Sequence, residues 1–319
     1  MTLREMRCRE AADRVAVSLL LFLVLYLAKD ILSALFPYLF VGLSPVAVEV
    51  LTELLQGVLY ALSFLLPAMM LARSQRGAGL PVSLQFHRPP RSTPLFLGAG
   101  LGLIFAAALL NSLMLEAFHY SEFSGEVLFP SDITADYQLL LMLLTTALIP
   151  AVVEEILFRG VIPSSLAPFG RGQAVLWSAL LFGVMHQNAG QLLYTVVAGL
   201  LLGALYEATH SLGACMLLHF INNGISVLQI AWLSWFAPQT AQLLLFFLQG
   251  GLLLMGFVCG GALLWQYRKA RKGTPKLPDP DPVSHPVGHF FRPAMVVFFV
   301  LSAVQMVLLL LLSLLMYGG

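Results

Sequence analysis

Charged residues are scarce in this chain. Lys, Arg, Asp and Glu make up 10% of its 319 residues, whereas 59% are hydrophobic and the mean hydropathy is +0.87. A soluble globular domain carries about 25% charged residues, so this composition does not suffice to cover a water-exposed surface. The shortage excludes an intrinsically disordered chain and a nucleic-acid-binding protein, and it indicates that lipid surrounds the fold.

Cysteine is also scarce, and the net charge is close to zero. Cys8, Cys215 and Cys259 are too few and too far apart for a disulfide framework or a metal-binding pair. Two of the three lie in apolar runs, which is typical of small buried hydrophobic residues. The net charge of +1 gives no overall attraction to polyanions.

Long apolar runs dominate what remains. A membrane-spanning helix needs about 20 mostly apolar residues, and nine runs approach or exceed that length. They cover residues 16–36, 50–72, 94–117, 137–161, 174–187, 191–208, 212–235, 242–267 and 294–316. The sequence therefore predicts an all-α, polytopic transmembrane helical bundle of about nine spans, or eight if the first run is interfacial. The fifth run is short, so we expect it to tilt or to extend into its flanking loop.

The positions of the basic residues predict an orientation. If every run crosses once, nearly all Lys and Arg residues of the loops fall on one side, which is cytoplasmic by the positive-inside rule. They are Arg4, Arg7, Arg9, Arg14, Arg73, Arg76, Arg88, Arg91, Arg171, Arg268, Lys269, Arg271, Lys272 and Lys276. This pattern predicts a multi-pass integral membrane protein with a cytoplasmic N-terminus and an odd number of spans.

Three regions follow from this reading. We expect N-terminal transmembrane helices over 1–136, a core of helices over 137–235, and C-terminal helices over 236–319 with a Pro-rich cytoplasmic linker at about 268–293. His285 and His289 in the linker are predicted to be solvated. The glycine pairs Gly199/Gly203 and Gly256/Gly260 have the spacing of close helix contacts, which we interpret as internal packing, with dimerisation as the alternative.

A few polar residues interrupt the apolar core, where ionisable groups are costly. Glu154, Glu155 and Arg159 lie near the cytoplasmic end of the fourth run. The spacing of four between Glu155 and Arg159 favours an ion pair on one helical face. Glu154 points about 100° away and has no partner in its own helix, so it requires another explanation.

Two further runs each carry a histidine. Phe182 and His186 share one face of the fifth run, and His219 and Asn223 share one stripe of the seventh. Each histidine alone is compatible with a hydrogen-bonded packing residue. At overlapping depths in a dry bundle, however, the carboxylate, two imidazoles and a carboxamide would form a catalytic constellation.

Such a constellation predicts hydrolysis. Glu154 with His186 could orient and deprotonate a water molecule, while His219 and Asn223 donate hydrogen bonds to the oxyanion. A serine or cysteine nucleophile has no recognisable motif here, which favours direct attack by water. Glu154, His186 and His219 could instead hold Zn²⁺, and the residue pattern leaves this alternative open.

The three motifs Glu154-Glu155-Ile-Leu-Phe-Arg159, Phe182-Gly-Val-Met-His186 and His219-Phe-Ile-Asn-Asn223 resemble, in this order, those of the CAAX protease and bacteriocin-processing (CPBP, or Abi) family of intramembrane proteases. The resemblance covers roughly 137–235, which it implies to be the catalytic core, and it includes the type II CAAX prenyl endopeptidase. It implies catalytic Glu154, His186, His219 and Asn223, supported by Glu155 and Arg159 on the first helix; Phe182 belongs to the second motif.

The resemblance also implies partners and a location. The substrate would be a membrane-associated protein or peptide, prenylated or a bacteriocin precursor, and membrane lipid would surround the enzyme, with the bacterial plasma membrane as the expected location. The glutamate-dependent type implies no required cofactor, with Zn²⁺ as the alternative. Two other functions remain open, namely a non-catalytic membrane scaffold or bacteriocin-immunity protein and a proton-coupled transporter.

Overall fold

The chain folds into a bundle of long helices. A computed structural model describes residues 1–79, 82, 84–117, 133–271, 283 and 285–317. The helices are α1 (Leu3–Leu39), α2 (Pro45–Gly77), α3 (Thr93–Ala117), α4 (Asp136–Phe169), α5 (Arg171–Met185), α6 (Leu192–Thr209), α7 (Leu212–Trp235), α8 (Pro238–Arg271), α9 (Pro286–Phe290) and α10 (Pro293–Tyr317). Within the described ranges, β-structure is confined to an isolated bridge between Phe86 and Ser211. The predicted all-α class is confirmed.

Eight of these helices are long and apolar enough to cross a membrane, as counted over the residues described. The prediction of about nine spans therefore needs a correction at the fifth run. The first run is a helix of 37 residues and meets the criterion, whereas α5 has only 15 residues. A helix of 15 residues is about 22 Å long, which is shorter than the hydrocarbon core of a bilayer.

The loop after α5 makes up for the short helix. Asn111, which lies 18 residues after the start of α3, donates a hydrogen bond from Nδ2 to the carbonyl oxygen of Gly190 at 2.8 Å. The turn between α5 and α6 therefore reaches nearly as deep as α3. As the sequence suggested, the fifth run extends into its flanking loop, and successive helices still alternate in direction.

One end of the bundle holds the arginine-rich N-terminus and loops, and we call it the arginine-rich end. Arg4, at the start of α1, donates from Nε to the carbonyl oxygen of Pro168 near the end of α4. Leu212, at the start of α7, donates its backbone N–H to Gln85, between α2 and α3. At the opposite end, the Trp235 indole donates to the carbonyl of Ile133.

The linker before α10 contains a docked helix, α9. His289 is 7% exposed and accepts a hydrogen bond at Nδ1 from Arg9 Nε at 3.1 Å. Phe290 stacks on Trp177 with a centroid distance of 4.1 Å and an interplanar angle of 8°. The prediction that His289 is solvated is therefore wrong. The neighbouring Phe290 packs in the apolar interior and holds the segment against α1 and α5. Residues 272–282 of the predicted linker lie outside the described residues.

Glycine permits the close contact between α3 and α8. A Cβ atom at Gly256 would lie 2.6 Å from Gly102 Cα, and one at Gly199 would lie 3.0 Å from Ala179 Cα. A Cβ at Gly203 would lie 2.7 Å from Val175 Cγ1, whereas one at Gly260 would meet no atom within 4 Å. Three of the four predicted glycines thus pack inside the bundle, where backbones approach closely.

Gly256→Ala is expected to lower the free energy of unfolding by roughly 1–3 kcal/mol, because the added methyl group overpacks a backbone contact. Gly260→Ala, one turn later on the same helix, is the matched control. It is expected to be neutral or stabilising, since alanine has the higher helix propensity. Thermal unfolding of the purified protein in detergent measures both, and equal midpoints for the two variants would contradict the close contact.

Candidate active site

The candidate site lies in the bundle interior, where α4 packs against α7 and α2. The exposed fractions of Glu154, Glu155, Arg159 and His219 are 2%, 0%, 2% and 5%. Ionisable side chains withdrawn from solvent in this way are costly unless they are paired. Their partners therefore indicate what the cluster does.

The helix that carries the two glutamates is irregular on both sides of them. They end a short α-helical stretch, Ile149–Glu155, between π-helical turns at Leu143–Leu148 and Ile156–Val161. Pro150 and Pro163 each follow directly after the residue that closes a π-turn. Proline has no amide hydrogen and its ring crowds the preceding turn, so the helix widens there. Such π-turns occur frequently at functional sites.

Asn223 supports the first of these irregular turns. Its Nδ2 donates to the carbonyl oxygen of Thr146 at 3.2 Å. Thr146 lies four residues before Pro150, which cannot supply the usual helical N–H. Asn222 in turn donates to Asn223 Oδ1 at 3.1 Å and to the Tyr194 hydroxyl at 2.9 Å. The carboxamide of Asn223 therefore belongs to a group of hydrogen bonds that connects α7 to α4.

Glu155 is the centre of a buried ion-pair network. Its Oε1 accepts from Arg159 Nη1 at 3.0 Å and lies 2.8 Å from His219 Nδ1. Arg159 also donates from Nη2 to the carbonyl oxygen of Gly199 at 3.3 Å. The ion pair that the spacing of four predicts is present, and it extends to a second helix through His219.

Glu154 faces another direction and has different neighbours. Its Oε1 accepts a hydrogen bond from the Tyr60 hydroxyl on α2. Its Oε2 lies 3.9 Å from His219 Nε2, beyond direct hydrogen-bonding distance. His219 thus sits between the two carboxylates, with Nδ1 held by Glu155 and Nε2 turned toward Glu154.

His186 follows α5 directly as its C-terminal cap. Its Nδ1 lies 2.8 Å from the carbonyl oxygen of Phe182, which can only accept, so Nδ1 carries the hydrogen. In a neutral ring, Nε2 is then the basic nitrogen. The next residue, Gln187, has a left-handed backbone with φ of 52° and ends the helix where glycine is usual.

Phe182 links the two histidines and the arginine. Its ring centroid lies 4.7 Å from that of His186 and 5.9 Å from that of His219, with edge-to-face geometry in both pairs. The Arg159 guanidinium carbon lies 4.4 Å from the same centroid. The aromatic residue of the second motif therefore provides the common apolar wall of the site.

The structure brings Glu154, Glu155, Arg159, Phe182, His186 and His219 together as one cluster. Asn223 lies on the same helix as His219, but its Nδ2 is engaged by Thr146. The oxyanion role of Asn223 and the catalytic roles of the other residues remain predictions.

Several contacting residues carry no recognisable motif. Tyr60 lies 94 positions before Glu154, within an apolar run, and nothing in its spacing distinguishes it from other buried tyrosines. Ser178 donates from Oγ to the carbonyl oxygen of Phe158 beside Arg159. The sequence holds one indirect signal for Ser178. Pro163 lies five residues after Phe158 and has no N–H to donate to its carbonyl in a π-turn, so that carbonyl needs another donor.

A zinc site is a separate question of ligand geometry. Among the residues with described positions, no group of three His, Cys, Asp or Glu side chains has an arrangement suited to a metal ion. Glu154 Oε2 lies 3.9 Å from His219 Nε2, and Nδ1 of each histidine is engaged by an oxygen, which leaves Nε2 as the nitrogen that could coordinate a metal. The choice between a metal-free reaction and a zinc site at Glu154, His186 and His219 remains a prediction.

Residues 136–225 match the family model described as Rce1-like, type II CAAX prenyl endopeptidase. The match contains all three motifs and covers less than a third of the chain. A search of the curated proteins and a search of the solved structures each found no match. The resemblance predicted from the motifs is confirmed, and it supports assignment to the proteases at the level of class.

Proposed function

From the match of residues 136–225 to the type II CAAX prenyl endopeptidases, we propose that this chain is an intramembrane endopeptidase. It would hydrolyse a peptide bond of a membrane-associated or lipidated protein, with a prenylated protein or a bacteriocin precursor as the substrate class. The observation that carries the proposal is the convergence of the buried Glu154 and His219 with the partly buried His186 around Phe182.

In the proposed reaction, Glu154 Oε2 and His186 Nε2 accept hydrogen bonds from a water molecule, and Glu154 takes up the proton that the water loses. The water oxygen forms a bond to the carbonyl carbon of the scissile amide, and the carbonyl oxygen takes up negative charge. When the C–N bond breaks, the proton taken from water passes to the leaving nitrogen. No enzyme nucleophile becomes acylated in this sequence.

His219 and Asn223 would stabilise the oxyanion. For Nε2 of His219 to donate, the ring must carry a hydrogen on both nitrogens. Glu155, whose Oε1 lies 2.8 Å from Nδ1 of this ring, supports that imidazolium. The Asn223 amide has a second hydrogen besides the one donated to Thr146. Donors held in a dry interior are worth more than donors in water.

The orientation proposed is that of the positive-inside rule, with the arginine-rich end in the cytoplasm. Arg171 at the start of α5 and Arg73 near the end of α2 would then face the cytoplasm, as would the N-terminus. A substrate terminus on the cytoplasmic side would then have a shorter route to Glu154 and His219 than one on the opposite side. The reason is that α7 begins at the arginine-rich end and His219 lies in its second turn.

Comparison of membrane-protein termini tests the function in cells. We expect new termini in cells with the wild-type protein that disappear in cells with Glu154→Ala at equal protein level. Identical sets of termini, together with an unchanged cellular phenotype for Glu154→Gln, would contradict the endopeptidase and favour a non-catalytic scaffold or immunity protein.

We further propose that the reaction requires no metal. Incubation of the purified protein with a strong chelator, followed by its removal, is expected to leave the cleavage rate unchanged. The measurement is cleavage of a prenylated peptide before treatment, after treatment, and after addition of Zn²⁺. Loss of cleavage that Zn²⁺ alone restores would overturn the metal-free mechanism and favour the zinc site at Glu154, His186 and His219.

A further inference from the structure

Tyr60 reaches Glu154 from a helix that carries none of the three motifs. Its hydroxyl donates to Glu154 Oε1, whereas Oε2 has no hydrogen-bond partner among the described residues. Oε2 is also the oxygen nearest to His219 Nε2, at 3.9 Å. The two oxygens of one carboxylate therefore have different surroundings, and Tyr60 creates the difference.

The packing of α2 against α4 fixes the position of the hydroxyl. Gly57 lies one turn before Tyr60, and a Cβ atom there would be 3.1 Å from Ile149 Cδ1 and 3.3 Å from Thr145 Cγ2. The missing side chain lets α2 approach α4 closely beside the glutamate. A phenol on a rigid ring has a fixed reach, so this approach determines whether the hydroxyl meets Glu154.

Aromatic contacts hold the ring itself. The Tyr60 centroid lies 4.9 Å from that of Phe64 and 6.2 Å from that of Tyr26. Phe64 in turn contacts Phe22 and Phe158 edge to face. Such pairs prefer tilted and T-shaped geometries, and together they restrict the ring to one orientation.

We propose that Tyr60 is a positioning residue that occupies Glu154 Oε1 and thereby leaves Oε2 as the oxygen that acts on water. This inference rests on the proposed hydrolase activity. Without the hydroxyl, the carboxylate could rotate about its terminal torsion, which is broad and has no single preferred value. Rotation would move the oxygen that faces His219 Nε2 away from that position, and the fraction of molecules with an oxygen aligned for attack would fall.

Tyr60→Phe tests the proposal because it removes the hydroxyl and keeps the ring. We expect kcat for cleavage of a prenylated peptide to fall by on the order of 10- to 100-fold through lost alignment, with KM unchanged. Tyr26→Phe, the same chemical change on the ring next to Tyr60, is the control and should retain a kcat close to that of the wild type. An unchanged kcat in Tyr60→Phe, or a raised KM with kcat retained, would overturn the positioning role.

A measurement of stability separates this inference from the proposed function. Tyr60→Phe is expected to shift the unfolding midpoint more in the wild-type background than in the Glu154→Ala background, where the acceptor is missing. Equal shifts would overturn the Tyr60 inference even in an active enzyme. Unequal shifts in a protein that cleaves nothing would support the Tyr60–Glu154 contact but contradict the endopeptidase. The role of this contact in hydrolysis would then be overturned as well.

Discussion

Glu154→Gln is expected to lower kcat for peptide hydrolysis by about 100- to 10,000-fold, the range that general-base catalysis contributes. The glutamine side chain keeps the shape and can still accept from Tyr60, but its oxygen cannot take a proton from water. The fold should be retained, because the substitution removes a buried charge without opening a cavity. The measurement is steady-state cleavage of a prenylated peptide in detergent, with the unfolding midpoint recorded in parallel.

Glu49→Gln supplies the matched control. Glu49 lies on α2 near the end of the bundle opposite to the arginine-rich end. It accepts hydrogen bonds from Tyr137 and Gln138 at 2.7 and 2.6 Å. The same neutralisation of a bonded glutamate there should leave cleavage at the wild-type rate. Full activity of Glu154→Gln would rule out this residue as the base, and equal losses in both variants would point to a general effect of lost carboxylates.

Arg159→Ala is expected to reduce the free energy of unfolding by about 3–5 kcal/mol, the cost of leaving one partner of a buried ion pair alone. Glu155, 0% exposed, would keep its charge with only His219 beside it. The substitution would also remove the contact of the guanidinium with the ring face of Phe182 and its hydrogen bond to the carbonyl oxygen of Gly199. Denaturation in mixed micelles measures the change.

Two further variants identify the cause of that loss. The double substitution Glu155→Leu with Arg159→Met should be more stable than Arg159→Ala, since it removes both charges and fills the space with apolar groups. Arg171→Ala, at an exposed arginine on α5, should leave stability unchanged. If the double variant were as unstable as Arg159→Ala, lost packing rather than the unpaired charge would explain the effect.

The part of the site that the sequence predicted depends on contacts within one helix. Glu155 and Arg159 are four residues apart, and a spacing of four determines a shared face on any regular helix. The order of the three motifs also predicted that His186 and His219 lie in the same region as Glu155 and Arg159. Contacts between distant helices were not predictable, and Tyr60 shows why, since its bond to Glu154 depends on the close approach that Gly57 permits.

The fold was predicted to a similar extent. Hydropathy indicated the long helices correctly, because a spanning helix must satisfy its own backbone and be apolar over its length. It also indicated that the 174–187 run is short, but it could not predict the contact that holds the turn after it, a hydrogen bond from Asn111. His289 was misjudged because a Pro-rich composition indicates a linker, whereas the neighbouring Phe290 anchors the segment by stacking on Trp177.

The two π-turns of α4 determine where the helix can lose a residue without rotating the site. A π-turn holds one residue more than the α-helical turn it replaces. Deleting one residue from Leu143–Leu148 would let that turn close as an α-helix and would keep the side chains on its two sides nearly in phase, because each kind of turn completes about 360°. Deleting one residue from the α-helical stretch Ile149–Glu155 would instead rotate the glutamates by about 100° relative to the start of α4, so alignments of related chains should show gaps in the π-turn more readily than beside the glutamates.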